Sequence, residues 1–96
     1  MSSFFSPDSP STPVTAAELR GIALRTTSWR EGYEKAEVDA LLARAALALE
    51  DKAYGRAPSL SAEEVLNAKF KPTKFRAGYD QDTVDDLLDR VVASLR

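Results

Sequence analysis

The sequence contains no cysteine and no histidine. Without cysteine there is no disulfide framework, no thiolate nucleophile and no Cys-type zinc site. Without histidine, the commonest general base and the commonest transition-metal ligand are both missing. No apolar run approaches the roughly 18 residues that a membrane-spanning helix needs. The start, Met1 to Phe5, lacks the basic opening and long apolar run of a signal peptide. A strong excess of either charge is also absent: 13 basic and 15 acidic residues leave a net charge of -2, which argues against a general nucleic-acid binder. The remaining catalytic candidates are carboxylates and lysines, and none sits in a recognisable catalytic pattern. No enzyme activity, cofactor or metal is therefore expected.

What is present is an ordinary globular balance, 44% hydrophobic and 29% charged, in 96 residues. That suits one small domain with a modest core. Residues 1–13 are rich in serine, threonine and proline and read as a disordered tail, because such a stretch cannot offset its ordering entropy. Phe4-Phe5 is the tail's one apolar feature, either idle or a short anchor.

The organising signal is an internal repeat. Residues 15–50 align with 61–96 at a constant offset of 46, without a gap, and 12 of the 36 positions are identical. The identities cluster: Arg30, Gly32, Tyr33, Val38, Asp39, Leu41, Leu42 and Arg44 match Arg76, Gly78, Tyr79, Val84, Asp85, Leu87, Leu88 and Arg90. The chain accordingly divides into a tail (1–13), repeat 1 (14–53), a linker (54–59) and repeat 2 (60–96).

Each copy opens with helix-start chemistry. Thr15 and Ser61 are N-caps, with Glu18 and Glu64 three residues on to complete capping boxes. Val14 with Leu19, and Leu60 with Val65, form hydrophobic staples. The spacing predicts short helices over 16–23 and 62–69. Loops over 25–33 and 71–79 follow, each ending in Gly-Tyr. Gly32 and Gly78 are read as supplying backbone angles that other residues resist. The main helices are predicted over 35–53 and 81–95. Val38, Leu41, Leu42, Ala45 and Leu49, and Val84, Leu87, Leu88, Val91 and Leu95, form one apolar stripe on each. Asp80 is a good N-cap and Glu34 a poor one, so the first main helix should fray more at its start. The linker is long enough for an antiparallel pair of main helices, and just long enough for a parallel pair if it runs back along them.

The run from Leu60 through Phe70, then Lys71-Pro72-Thr73-Lys74-Phe75-Arg76-Ala77-Gly78-Tyr79-Asp80, then Val84-Asp85-Asp86-Leu87-Leu88, resembles the N-terminal domain of the DivIVA family. The first copy is a degenerate version, with Trp29 to Glu34 and Val38-Asp39-Ala40-Leu41-Leu42. The resemblance implies a cytoplasmic bacterial protein that self-associates through helices, sits at curved membrane and recruits other cell-division or envelope-growth proteins. It also implies lipid contact by an exposed aromatic beside a basic residue, here Phe75-Arg76 and Trp29-Arg30. The family's long coiled coil is not in this sequence. The resemblance therefore suggests that the two copies pair with each other in one chain, as family members pair in a dimer.

Charge is segregated. Leu19 to Arg30 and Val65 to Tyr79 hold seven basic residues and no acid, leaving the rest of the chain at -9. Lys71 and Lys74 join Phe75-Arg76 and Trp29-Arg30 as candidates for contact with an anionic membrane or a partner. Core positions compete with that reading for Trp29, Phe70 and Phe75. Tyr33 and Tyr79 read as structural, with hydroxyls bonded to backbone or carboxylate. Asp39 and Asp85 complement the helix dipole. Asp80, Asp82, Asp85, Asp86 and Asp89 read as one acidic face, solvated or docking a basic partner, without the turn geometry of a calcium loop.

These observations predict an all-α fold of two tandem helix–loop–helix repeats, with the main amphipathic helices packed on each other or on a second chain. The function expected is a non-catalytic scaffold or adaptor, cytoplasmic and peripheral at the inner face of the membrane. Its partners would be itself, division or envelope-growth proteins, and anionic lipid. One rival is a soluble protein-binding adaptor without membrane contact. The other is a small nucleic-acid-binding regulator, disfavoured by charge and by loops longer than a helix-turn-helix allows.

Overall fold

A computed structural model describes residues 13–96. Residues 1–12 of the tail, Phe4-Phe5 among them, lie outside the described residues. Each copy contributes a short helix, two very short strands and a long helix. In chain order these are α1 (Ala16–Gly21), β1 (Thr26–Thr27), β2 (Gly32–Tyr33), α2 (Lys35–Ala53), α3 (Ala62–Leu66), β3 (Pro72–Thr73), β4 (Gly78–Asp80) and α4 (Gln81–Leu95).

The all-α expectation is overturned. Of the described residues 54% are helical and 11% strand, and the strands build one four-stranded antiparallel sheet in the order β1-β4-β2-β3. The predicted loops are where this sheet forms. Neither copy pairs with itself: β1 pairs with β4, β2 with β3, and β2 with β4. The registers obey the repeat. Thr26 opposite Tyr79 corresponds to Pro72 opposite Tyr33, and Tyr33 faces Tyr79 at the centre. Two further backbone bonds repeat the relation: the Glu34 amide donates to the Lys71 carbonyl at 2.9 Å, and the Asp80 amide to that of Arg25 at 2.8 Å. The copies are thus related by a pseudo-two-fold axis through the Tyr33–Tyr79 pair.

Because β4 lies between β1 and β2, the loop 28–31 crosses β4, and by the same logic the loop 74–77 crosses β2. The crossing explains Gly32 and Gly78, and corrects their expected role. Positive φ among the described residues belongs to Gly55 and Phe75, not to them. They are glycines because of close approach. A Cβ on Gly32 would stand 2.7 Å from the Tyr79 carbonyl oxygen, and one on Gly78 2.9 Å from that of Tyr33. Buried Thr73 wedges its hydroxyl against both, and that Oγ1 has no hydrogen-bond partner among the described residues.

The helices follow their sequence signals. Both capping boxes form, and all four staple residues are buried. The main helices have the predicted bounds, while the short helices end two to three residues early, at Gly21 and Leu66. Asp80 caps α4 by accepting from the Thr83 amide at 3.0 Å, whereas Glu34 gives α2 no side-chain cap. At its other end α2 closes with a glycine cap: the Gly55 amide donates to the Lys52 carbonyl and the Arg56 amide to that of Asp51, with Gly55 at φ +75°.

The long helices run parallel. Their starts are joined through the sheet, and at their ends Lys52 Nζ donates to the carbonyls of Ser94 and Arg96 at 2.7 Å each. The linker need not run back along the pair, because the short helices carry the chain back. Val14, entering α1, exchanges two hydrogen bonds with Ser94 Oγ near the end of α4, and Arg20 at the end of α1 reaches Glu50 on α2. Val38, Leu41, Leu49, Val84, Leu87 and Val91 are buried in this single chain, with Leu42, Leu88 and Leu95 partly buried against them. The helix faces expected to pair are therefore covered within one molecule.

Candidate functional site

Three sets of residues recur at equivalent places in the two copies: exposed aromatics in the loops, cross-copy polar pairs, and grooves beside the long helices.

Trp29 is 84% exposed and Phe75 74% exposed, so the core reading of both is wrong. They are equivalent positions, each at the centre of a crossing loop, and so both belong to the sheet end of the molecule. Phe75 also sits at φ +60°. A non-glycine residue in that region costs roughly 1–2 kcal/mol. An aromatic held there in solvent gains no packing in return, apart from Lys74 Nζ over its ring at 5.6 Å. Phe70, by contrast, is partly buried and packs its ring on Tyr33, centroids 5.2 Å apart.

The basic residues beside the aromatics do structural work. Arg76 donates to Glu34 Oε2 at 2.8 Å, and Arg30 lies 3.8 Å from Asp80 and 3.9 Å from Asp82. Arg30–Asp80 and Arg76–Glu34 are one contact repeated by the pseudo-two-fold. The Arg76 hydrogen bond holds the Glu34 carboxyl below the usual range. Asp80 is also held low, first by the Thr83 amide hydrogen bond. Asp80 is buried at its helix start, so it does not belong to the exposed acidic face expected for it. The Lys71 and Lys74 side chains are exposed in the loop, and the Lys71 amide donates to Glu37.

The tyrosines cross between copies too. Tyr33 Oη donates to Asp85 Oδ1 at 3.0 Å, and Tyr79 Oη to Asp39 Oδ1 at 2.7 Å. Burial, then the bond to Asp85, pushes the Tyr33 hydroxyl up to about 12. The Asp39 bond and then burial raise that of Tyr79. The first-turn acids of the long helices are Glu37 and Asp82, so the helix-dipole role expected of Asp39 and Asp85 falls to those residues; Asp39 and Asp85 instead lock each copy to the other.

Each Tyr–Asp pair lies in a groove of about 420 Å³ between a short and a long helix. The groove beside α3 and α4 contains Leu66, Phe70, Leu88, Asp85 and Asp89. Its counterpart beside α1 and α2 contains Arg20, Leu24, Leu42, Asp39 and Ala43 at those positions. Sequence reasoning missed the grooves and the cross-copy pairs. The signal was present in the repeat: Arg, Gly, Tyr and Asp recur because each meets the other copy.

Among the described residues no cluster of carboxylates is placed to hold a metal ion, and no helix is long and apolar enough to cross a membrane. No protein-family model matches the chain, and no curated protein or solved structure matches it.

Proposed function

We propose that this chain is a non-catalytic adaptor of the DivIVA type, with two copies closed on each other, that touches anionic membrane through Trp29 and Phe75. The carrying observation is the pair of exposed aromatics at equivalent loop positions, one of them on strained backbone. Backbone strain around a solvent-facing ring is a cost that folding alone does not repay. Lys71 and Lys74 supply nearby positive charge, and a basic residue near an anionic surface contributes about 1 kcal/mol. Two loops on one rigid end engage together, which raises the avidity of individually weak contacts. Arg30 and Arg76 support the loops through their carboxylate partners rather than serving as free cations.

The test is co-sedimentation with anionic and with neutral vesicles. Wild type should pellet with the anionic vesicles only, and Trp29→Ser/Phe75→Ser should stay in solution with an unchanged helical signal. Wild type remaining in solution with both vesicle types would leave the second reading, a soluble protein-binding adaptor. The apolar grooves beside the long helices favour that reading.

A further inference from the structure

A third groove lies between α1 and the C-terminal ends of α2 and α4, and at about 560 Å³ it is larger than the two beside the Tyr–Asp pairs. Every charged side chain lining it is already paired. Arg20 is bridged to Glu50, and Lys52 donates to the carbonyls of Ser94 and Arg96. What stays open is apolar: Ala17, Ala53 and Tyr54 are exposed around the groove, with Ala93 half-buried and Leu49 buried below them. Tyr54 is 72% exposed, and Arg56 stands over its ring at 5.2 Å. With its charges neutralised from within, the groove selects an apolar occupant.

The chain itself leads to this groove. Pro13 lines it, and the next residue is fastened there: Ser94 Oγ accepts from the Val14 amide at 2.6 Å and donates to the Val14 carbonyl at 2.8 Å. The Pro13 carbonyl also accepts from Arg90 at 3.4 Å. Residues 1–12 therefore join the described chain at the rim of the groove, and Phe4 and Phe5 are the only aromatic residues among them. Pro13 is eight positions after Phe5, a span of at most about 29 Å, so the pair reaches every wall. The second copy lacks this arrangement. Residues 54–59 lead into it without a phenylalanine pair, Glu63 stands at the place of Ala17, and Leu47 at the place of Ala93.

We infer that Phe4 and Phe5 of the same chain seat in this groove, with their rings against Tyr54, Ala53 and Ala17, so that the tail caps the ends of the long helices. Two aromatic rings leaving water supply the gain, and Tyr54 offers a ring for offset or edge packing. The short connection keeps the effective concentration of the pair high. The inference is independent of the membrane reading, because the groove lies at the opposite end of the long helices from Trp29 and Phe75.

The chain has no cysteine, so Ser3→Cys carries a nitroxide at one site only. The experiment is amide-resolved NMR of that labelled whole chain, with and without Phe4→Ser/Phe5→Ser. Selective broadening of the Ala17, Ala53, Tyr54 and Ala93 amides is expected, and its loss in the phenylalanine variant. Thr27 and Gly78, at the sheet end, should stay sharp in both. Ala17→Glu should also remove the broadening at Ala53 and Tyr54. That change copies the residue α3 carries at the equivalent place, so the helix should persist, and its melting curve is the control. Broadening that survives in the phenylalanine variant, or that spreads evenly over the surface, would overturn the inference. So would broadening of a nitroxide-free, isotope-labelled chain mixed with the nitroxide-labelled one, which would put the pair in a second copy. Loss of pelleting with anionic vesicles in Phe4→Ser/Phe5→Ser would assign the pair to lipid and overturn it as well.

Discussion

Tyr79 donates its hydroxyl hydrogen to Asp39 at 2.7 Å, from the central strand of one copy to the second turn of the long helix of the other. The pseudo-two-fold repeats the bond as Tyr33 to Asp85 at 3.0 Å. A phenol that donates to a carboxylate must keep its proton. Both hydroxyls are accordingly raised in the folded state, Tyr33 to about 12. For an acid whose folded pKa exceeds its unfolded value, the unfolded chain loses its proton first as pH rises. The stabilisation is therefore complete below about pH 10, the unfolded tyrosine value. It is lost as pH climbs through the folded value. Thermal melts across this alkaline range should show a falling melting temperature, and Tyr33→Phe/Tyr79→Phe should flatten that limb. At neutral pH each single Tyr→Phe change should cost about 1 kcal/mol, the worth of one hydrogen bond, in urea denaturation.

The glycines at the strand crossing should be irreplaceable. Gly78→Ala would drive a methyl into the Tyr33 carbonyl and the Thr73 hydroxyl. A loss of about 1–3 kcal/mol is expected, the usual range for overpacking. Gly21 has open space around its Cβ position, so Gly21→Ala should instead stabilise by up to about 1 kcal/mol. Denaturant midpoints of the two variants should move in opposite directions.

Thr73→Val is expected to be neutral or stabilising. The buried hydroxyl has no hydrogen-bond partner among the described residues, so removing it sacrifices no bond and ends a desolvation cost of about 1–3 kcal/mol. A midpoint shifted to lower urea would contradict the account of the crossing.

Phe75 carries strain for an exposed ring. Phe75→Gly removes the left-handed penalty and should raise stability by about 1 kcal/mol while weakening vesicle binding. Stability and membrane contact moving in opposite directions would be the mark of a residue kept for contact rather than folding.

Long-helix bounds, capping boxes, staples and the apolar stripe were legible because each is a local signal, fixed by residues three or four apart. The sheet was not. Its strands are two or three residues long, too short to show alternation, and each finds its partner in the other copy, 39 to 53 positions away. Trp29 and Phe75 carried the same ambiguity, since a large aromatic in a loop suits a core or a contact surface equally until the crossing is known. The repeat held the missing information. Thr27 and Thr73, Gly32 and Gly78, and Tyr33 and Tyr79 recur because each copy supplies strands to the other.

Trp29 is the single tryptophan, so its fluorescence reports on one loop alone. The most direct measurement is its emission spectrum as anionic vesicles are added to the whole chain, with neutral vesicles as control. The emission of a solvent-exposed indole is expected in buffer, then a blue shift that saturates with anionic lipid, is absent with neutral lipid and is weakened in Phe75→Ser. Emission already blue-shifted in buffer, or unmoved by anionic lipid at any concentration, would contradict the claim that this end of the molecule is a membrane contact.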